Sequence, residues 1–166
     1  MLRTLGALAV FCSLSWCGFH RAGWYVRRLK CLDAWRRAVL EGERMLCDLG
    51  ESTPAFLEQL CRDETLRPMA RDCLDRLGRE ERLELAWTGA LAEAAQPLTG
   101  EDRCTVAALG AVIGRYDVAQ QRPALAAAGR RLEEHMLQAE EEKRRLGRMW
   151  SVLGVSAGLL AVVMLY

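Results

Sequence analysis

Any chemistry in this chain would have to come from two histidines, seven cysteines, two lysines and a few runs of neighbouring carboxylates, and their spacing argues against a catalytic site. His20 and His135 lie far apart in sequence; the first stands at the mouth of an apolar segment and the second on the seam of a helix, so each reads as a solvated or packed histidine. The cysteines are Cys12, Cys17, Cys31, Cys47, Cys61, Cys73 and Cys104. They contain no C-x-x-C pair, and their intervals match no zinc pattern. Cys31, Cys47, Cys61 and Cys73 fall in helical patterns, where cysteine behaves as a small hydrophobe, and the set reads as reduced thiols in a reducing compartment. Carboxylates adjoin at Glu80-Glu81, at Glu101-Asp102 and from Glu140 to Glu142. Helix neighbours point to different faces, so none of these is an acid–base pair by spacing. Glu140 with Arg144, and Glu141 with Arg145, instead have the i,i+4 spacing of surface ion pairs. Lys30 and Lys143 are the only lysines and neither follows a glycine, so there is no phosphate loop. These residues imply no enzyme, no cofactor, no metal and no small-molecule substrate.

The elements that carry these residues are set by a segregation of charge. Of 166 residues, 27% are charged, yet none is charged between Thr4 and Phe19 or between Met149 and Tyr166. All 22 acidic residues lie between Asp33 and Glu142, and Arg3 is the one basic residue outside Arg21–Arg148. The net charge of +1 therefore belongs to a middle block of mixed sign, which offers no one-sided basic field for nucleic acid.

The apolar ends read as membrane segments. A spanning helix needs about 20 apolar residues to cross a hydrocarbon core of about 30 Å. The C-terminal run, 149–166, is slightly short but uncharged, and Trp150 and Tyr166 stand near its ends as interfacial aromatics. Within it Gly154 and Gly158 form G-x-x-x-G, a spacing that lets membrane helices pack closely. The N-terminal run, 1–19, is shorter and reads as an uncleaved anchor, because no small-x-small cleavage site follows it. Arg21, Arg27, Arg28 and Lys30 follow the first segment; Lys143, Arg144, Arg145 and Arg148 precede the second. By the positive-inside rule both flanks place the middle block, 20–148, in the cytoplasm.

That block reads as all-α, an antiparallel bundle of about five to six helices. The first helix is expected to run on to about Leu49, with Leu32, Trp35, Val39, Leu46 and Leu49 as its apolar stripe and Gly50 as its stop. Thr53 and Pro54 read as N-cap and first helical residue of the next, with Phe56, Leu57 and Leu60 inward. Thr65 is expected to cap a helix carrying Leu66, Met69, Ala70, Cys73, Leu74 and Leu77, closed by Gly78. Another runs from about Glu80 to Ala95 with Leu83, Leu85, Ala86, Trp87 and Leu91. Gln96-Pro97 breaks the chain. Thr99 caps a helix through Val106, Leu109 and Ile113, which Gly114 ends. The last helix starts near Asp117, with Pro123 as its weak point and a seam of Leu125, Ala128, Leu132, His135, Ala139 and Leu146. Gly110 and Gly114 make a second G-x-x-x-G, with Gly110 as a close helix contact and Gly114 as a terminus.

In order and spacing, several short motifs resemble stage III sporulation protein AB of endospore-forming bacteria. They include the opening Met1-Leu2-Arg3-x-Leu5-Gly6-Ala7, then Gly18-Phe19 with Ala22, Tyr25 and Arg28. Thr53-Pro54 follows, with Ala55 where that family has leucine, and then Ala86-Trp87. Leu109-Gly110-x-x-Ile113-Gly114-x-x-Asp117-x-x-x-Gln121 is the most specific, with Ile113 for leucine. Leu153-Gly154-x-x-x-Gly158-Leu159-Leu160 closes the series. The resemblance implies a non-enzymatic platform component of the channel between mother cell and forespore. Its helical domain would be similar to the inner-membrane platform protein of type II secretion and type IV pilus systems, coupling a cytoplasmic ATPase to the membrane apparatus. The implied partners are other stage III channel proteins, the ATPase, membrane lipid and further copies of the chain. Gly110, Gly114, Asp117 and Gln121 are the candidate corner: a helix–turn–helix joint in structural terms, an ATPase or self-contact in functional ones. The competing reading is a freestanding membrane-anchored scaffold or sensor with no ATPase.

Overall fold

A computed structural model describes residues 2–79, 81–113 and 118–147, together with 149, 152, 153 and 156. Among these residues every regular element is helical. The elements are α1 (Leu2–Gly42), a first π turn (Glu43–Asp48), α2 (Thr53–Leu60), α3 (Arg67–Leu77), α4 (Leu83–Glu93), α5 (Gly100–Ile113), α6 (Val118–Glu142) and a second π turn (Lys143–Gly147). By internal contacts the chain divides into two units, Lys30–Met136 and Met1–Leu29 with Leu137–Tyr166. No helix among the described residues is long and apolar enough to cross a membrane. The N-terminal apolar segment forms the start of α1. Most of the C-terminal segment, including Gly154 and Gly158, lies outside the described residues.

In the larger unit the expected apolar stripes account for most of the core. Leu32, Trp35, Val39 and Leu46 are buried, but Leu49 is 61% exposed. The reason is the π turn, whose i→i+5 bonding breaks the 3.6-residue period just before Leu49. The helix stops where the sequence predicts: Gly50 takes a left-handed φ of +66°, and Glu51 N–H returns to Met45 O at 2.8 Å. That backbone conformation strains any residue with a Cβ.

Two caps differ from expectation. The α2 cap is Ser52, one residue earlier than Thr53; its extended ψ of 153° aims the hydroxyl at Ala55 N–H, and Pro54 sits in the first turn. Thr65 caps nothing: Asp63 Oδ1 accepts from Thr65 N–H at 2.8 Å, an Asx turn that takes the chain into α3, where Pro68 replaces a free donor. Phe56, Leu57, Leu60, Leu66, Met69, Ala70 and Cys73 are buried as expected. Gly78 does close α3, although with a right-handed φ of −63°. On α4, Ala86, Trp87 and Leu91 turn inward while Leu85 is 62% exposed.

The interior is organised by two tryptophans. Trp35 of α1 and Trp87 of α4 meet with ring centroids 5.7 Å apart. Their indole N–H groups are both satisfied, as buried indoles require. Trp35 donates to Gln96 Oε1 at 3.0 Å and Trp87 to Val106 O at 2.9 Å. Gln96 also reaches Thr65 O at 3.5 Å, so the irregular segment around Gln96-Pro97 fastens the turn before α3. α6 runs unbroken through Pro123. Its seam is buried at Leu125, Leu132 and Ala139 and partly exposed at Ala128, His135 and Leu146.

Candidate functional site

The end of α5 and the start of α6 carry the corner singled out by sequence. Gly110 and Gln121 are described there; Gly114 and Asp117 lie outside the described residues. Gly110 is buried, and a Cβ built on it would stand 2.6 Å from Trp87 Cγ and Cδ1 and 2.9 Å from its Cβ. Glycine is what allows the indole to lie flat on α5 and reach Val106 O.

Gln121 is 4% exposed. Its amide donates to Ile113 O at 3.1 Å and Val112 O at 3.4 Å, which satisfies two of the carbonyls a helix end leaves without partners. Its Oε1 accepts from the Cys47 thiol at 3.9 Å. The neighbouring Arg122 bonds Asp48 and lies 3.9 Å from Glu43. Hydrogen bonding to Asp48 pushes the Arg122 guanidinium pKa further up. The start of α6 is thus fastened both to the end of α5 and to the π turn that follows α1.

A second polar cluster sits at the other end of α5. Thr99 caps this helix as expected, and does so reciprocally. Asp102 Oδ2 accepts from Thr99 N–H at 2.9 Å, while Thr99 Oγ1 accepts from Asp102 N–H at 3.3 Å. This is a capping box, with Asp in the position where Glu is usual. The T-x-x-D spacing was visible in the sequence; the partner of Asp102 on α6 was not. His135 Nδ1 lies 3.0 Å from Asp102 Oδ1. Nδ1 makes no hydrogen bond there. Asp102 is fully buried.

Cys31 of α1 feels the same carboxylate. Burial, with the charges of Asp102 and Asp63 behind it, pushes its thiol pKa up to about 12. Burial likewise carries Cys73 to about 11. A nucleophilic cysteine needs the opposite shift, so Cys31 and Cys73 read as thiols packed in the interior. Cys31, Cys47, Cys61, Cys73 and Cys104 are free thiols, and Cys104 is exposed. Among the described residues no group of His, Cys, Asp and Glu has the arrangement of a metal site.

In the smaller unit Arg28 is 4% exposed and pairs with Glu142 at 2.5 Å. Its guanidinium lies 5.9 Å from the Trp24 ring, and Trp24 meets Tyr25 edge to face at 5.2 Å. Arg28 is therefore spent on packing rather than standing out as a flanking cation. The expected pairs Glu140–Arg144 and Glu141–Arg145 are absent among the described residues. The helix passes into the second π turn at Lys143, and all four side chains are exposed, where such pairs contribute little.

Buried polar groups used for joining helices, around a paired-tryptophan core, define a helical bundle protein. The chain matches the family model of stage III sporulation protein AB (spore_III_AB) over residues 3–166, and it belongs to that family. It is thereby a sporulation protein, of a family not known for enzymatic activity. No curated protein and no solved structure matches it.

Proposed function

We propose that the protein is a non-enzymatic platform component of the channel between mother cell and forespore, coupling a cytoplasmic ATPase to a secretion-like apparatus. The observation that carries this reading is that the family match extends through both apolar ends as well as the bundle. Uncharged segments at 4–19 and 149–166, each with a basic flank on the side of the bundle, support a membrane tether at both ends and a cytoplasmic domain between. The site is then the mother-cell membrane, and the partners are other stage III channel proteins and the ATPase.

Within this reading Gly110, Gly114, Asp117 and Gln121 form the joint that holds the α5–α6 corner in one geometry, and the surface of that corner is where the ATPase or a second copy docks. Gly154 and Gly158 pack the C-terminal segment against another membrane helix. Co-purification in mild detergent from sporulating cells tests the proposal. Recovery of the ATPase and channel subunits with the full chain is expected. Recovery of the chain with neither would favour a freestanding scaffold.

A further inference from the structure

We propose that the Arg28–Glu142 ion pair is a register pin, which fixes α1 against α6 in the smaller unit so that the two apolar ends enter the bilayer at one level. The level of the ends rests on the membrane reading above; the register does not. α1 leaves this unit at Leu29 and α6 enters it at Leu137, so the two helices meet in opposite directions. Arg28 is 4% exposed, and its guanidinium lies 2.5 Å from Glu142 Oε2 with the Trp24 ring 5.9 Å away. A buried guanidinium must keep its counter-charge, because loss of one partner leaves the other charge in a poorly solvated place.

No neighbouring register offers that counter-charge. A slip of one helical turn is about 5.4 Å along the axis, far more than the pair can stretch. It would bring Gln138 and Ala139, or Arg145 and Leu146, to the place of Glu142, and none of these is a carboxylate. On α1 the residues one turn from Arg28 are Trp24, Tyr25, Cys31 and Leu32, and none is a cation. Glu140 and Glu141 project from other faces of α6. The pair is therefore satisfied in one alignment, and fixing register is the best-attested use of a polar group buried between helices. Counting from the pair in opposite directions, Trp24 falls beside Leu146, to within the one residue that the second π turn takes in. Carried on to the apolar ends, the same count would set 4–19 against 151–166, inside the uncharged run 149–166. The pair thus stands at matching distances from the two charge-free segments, nine residues past Phe19 and seven before Met149.

The test places the photo-crosslinker p-benzoylphenylalanine at position 146 of the full chain in membranes, with cross-linked peptides identified by mass. In the parent, cross-links on α1 should centre on Trp24, and R28E/E142R, which exchanges the two charges, should keep them there. R28M/E142L, which fills the same space without charge, should melt within a few degrees of the parent in mild detergent. Its cross-links should nevertheless spread over a turn or more on either side of Trp24. Melting reads stability and cross-linking reads alignment, so a merely stabilising pair would move the first and not the second. Parent-like cross-links in R28M/E142L would overturn the proposal, as would an exchange variant that folds but cross-links elsewhere.

Carbonate extraction of the same membranes separates the pin from the membrane reading. A carbonate-resistant chain whose cross-links ignore R28M/E142L sinks the pin alone. A carbonate-soluble chain whose cross-links follow the pair keeps the register and sinks the anchors, and with them the common level of the ends.

Discussion

Replacing Gly110 by alanine adds one methyl group at the most crowded contact of the bundle. The new Cβ would lie 2.6 Å from two atoms of the Trp87 ring and 2.9 Å from Trp87 Cβ. That last atom is fixed by the α4 backbone, so the indole cannot swing away at its tip, and either α4 or α5 must move. Overpacking of this kind costs about 1–3 kcal/mol. Loss of the Trp87–Val106 hydrogen bond adds about 1 kcal/mol. The better helix propensity of alanine returns about 1 kcal/mol, leaving a net destabilisation of about 1–3 kcal/mol.

Gly129 is the matched control. It also lies inside a helix, but its added Cβ would meet only Val39 Cγ1, at an ordinary 3.6 Å. Gly129→Ala should therefore stabilise the protein by about 0.5–1 kcal/mol. Urea unfolding of the full chain in mild detergent, followed by tryptophan fluorescence, measures both. If Gly110→Ala is as stable as the parent, or moves in the same direction as Gly129→Ala, the close packing of Trp87 on α5 is wrong.

Three further outcomes follow from the polar joints. Gln121→Ala should cost about 1–2 kcal/mol by leaving the Val112 and Ile113 carbonyls without their donor; Gln121→Glu should cost more, because a carboxylate faces the same oxygens, and unfolding midpoints decide the order. Thr99→Ala should cost about 1 kcal/mol as a lost cap, and Asp102→Ala about 2 kcal/mol, because it leaves Thr99 N–H without its acceptor and removes the contact with His135; equal losses would deny the contact with α6 any energetic role. The Cys31 thiol, raised from 9.0 to about 12, contributes stability that is fully present below pH 9 and is lost as pH rises toward 12. Cys31→Ala should flatten the fall in unfolding free energy across that window, and an unchanged slope would contradict the burial argument.

Much of the bundle was legible because apolar spacing is a one-dimensional record of which helix face is buried. Trp35, Phe56, Trp87, Leu109, Leu125 and Leu132 all turn inward as their periods require. Thr99 and Gly50 were legible because a cap or a left-handed turn is decided by a few neighbouring residues. What failed depended on departures from regular geometry or on distant partners. The first π turn shifted Leu49 out of the core; nothing in local composition marks where a helix takes in an extra residue. The shift from Thr53 to Ser52 at the α2 cap is a choice between adjacent hydroxyls that the sequence leaves open. The Asp102–His135 contact and the Gln121 bonds to α5 join residues on separate helices, and the packing that brings them together is a property of the whole unit. At the candidate corner, the closeness of Gly110 to Trp87 was anticipated in kind, as a tight helix contact, but not in partner.

In the proposed arrangement a charged helical bundle is held against the inner face of a membrane by its two ends. Labelling with a membrane-impermeant maleimide tests it, using the native Cys104, which is exposed on α5, and a Thr4→Cys variant beside Arg3. In spheroplasts expressing the full chain, with the modified peptides identified by mass, Cys104 should react only after permeabilisation, whereas the cysteine at position 4 should react in intact spheroplasts. Reaction of Cys104 in intact spheroplasts, at the rate seen after permeabilisation, would contradict the topology and with it the proposed place beside a cytoplasmic ATPase.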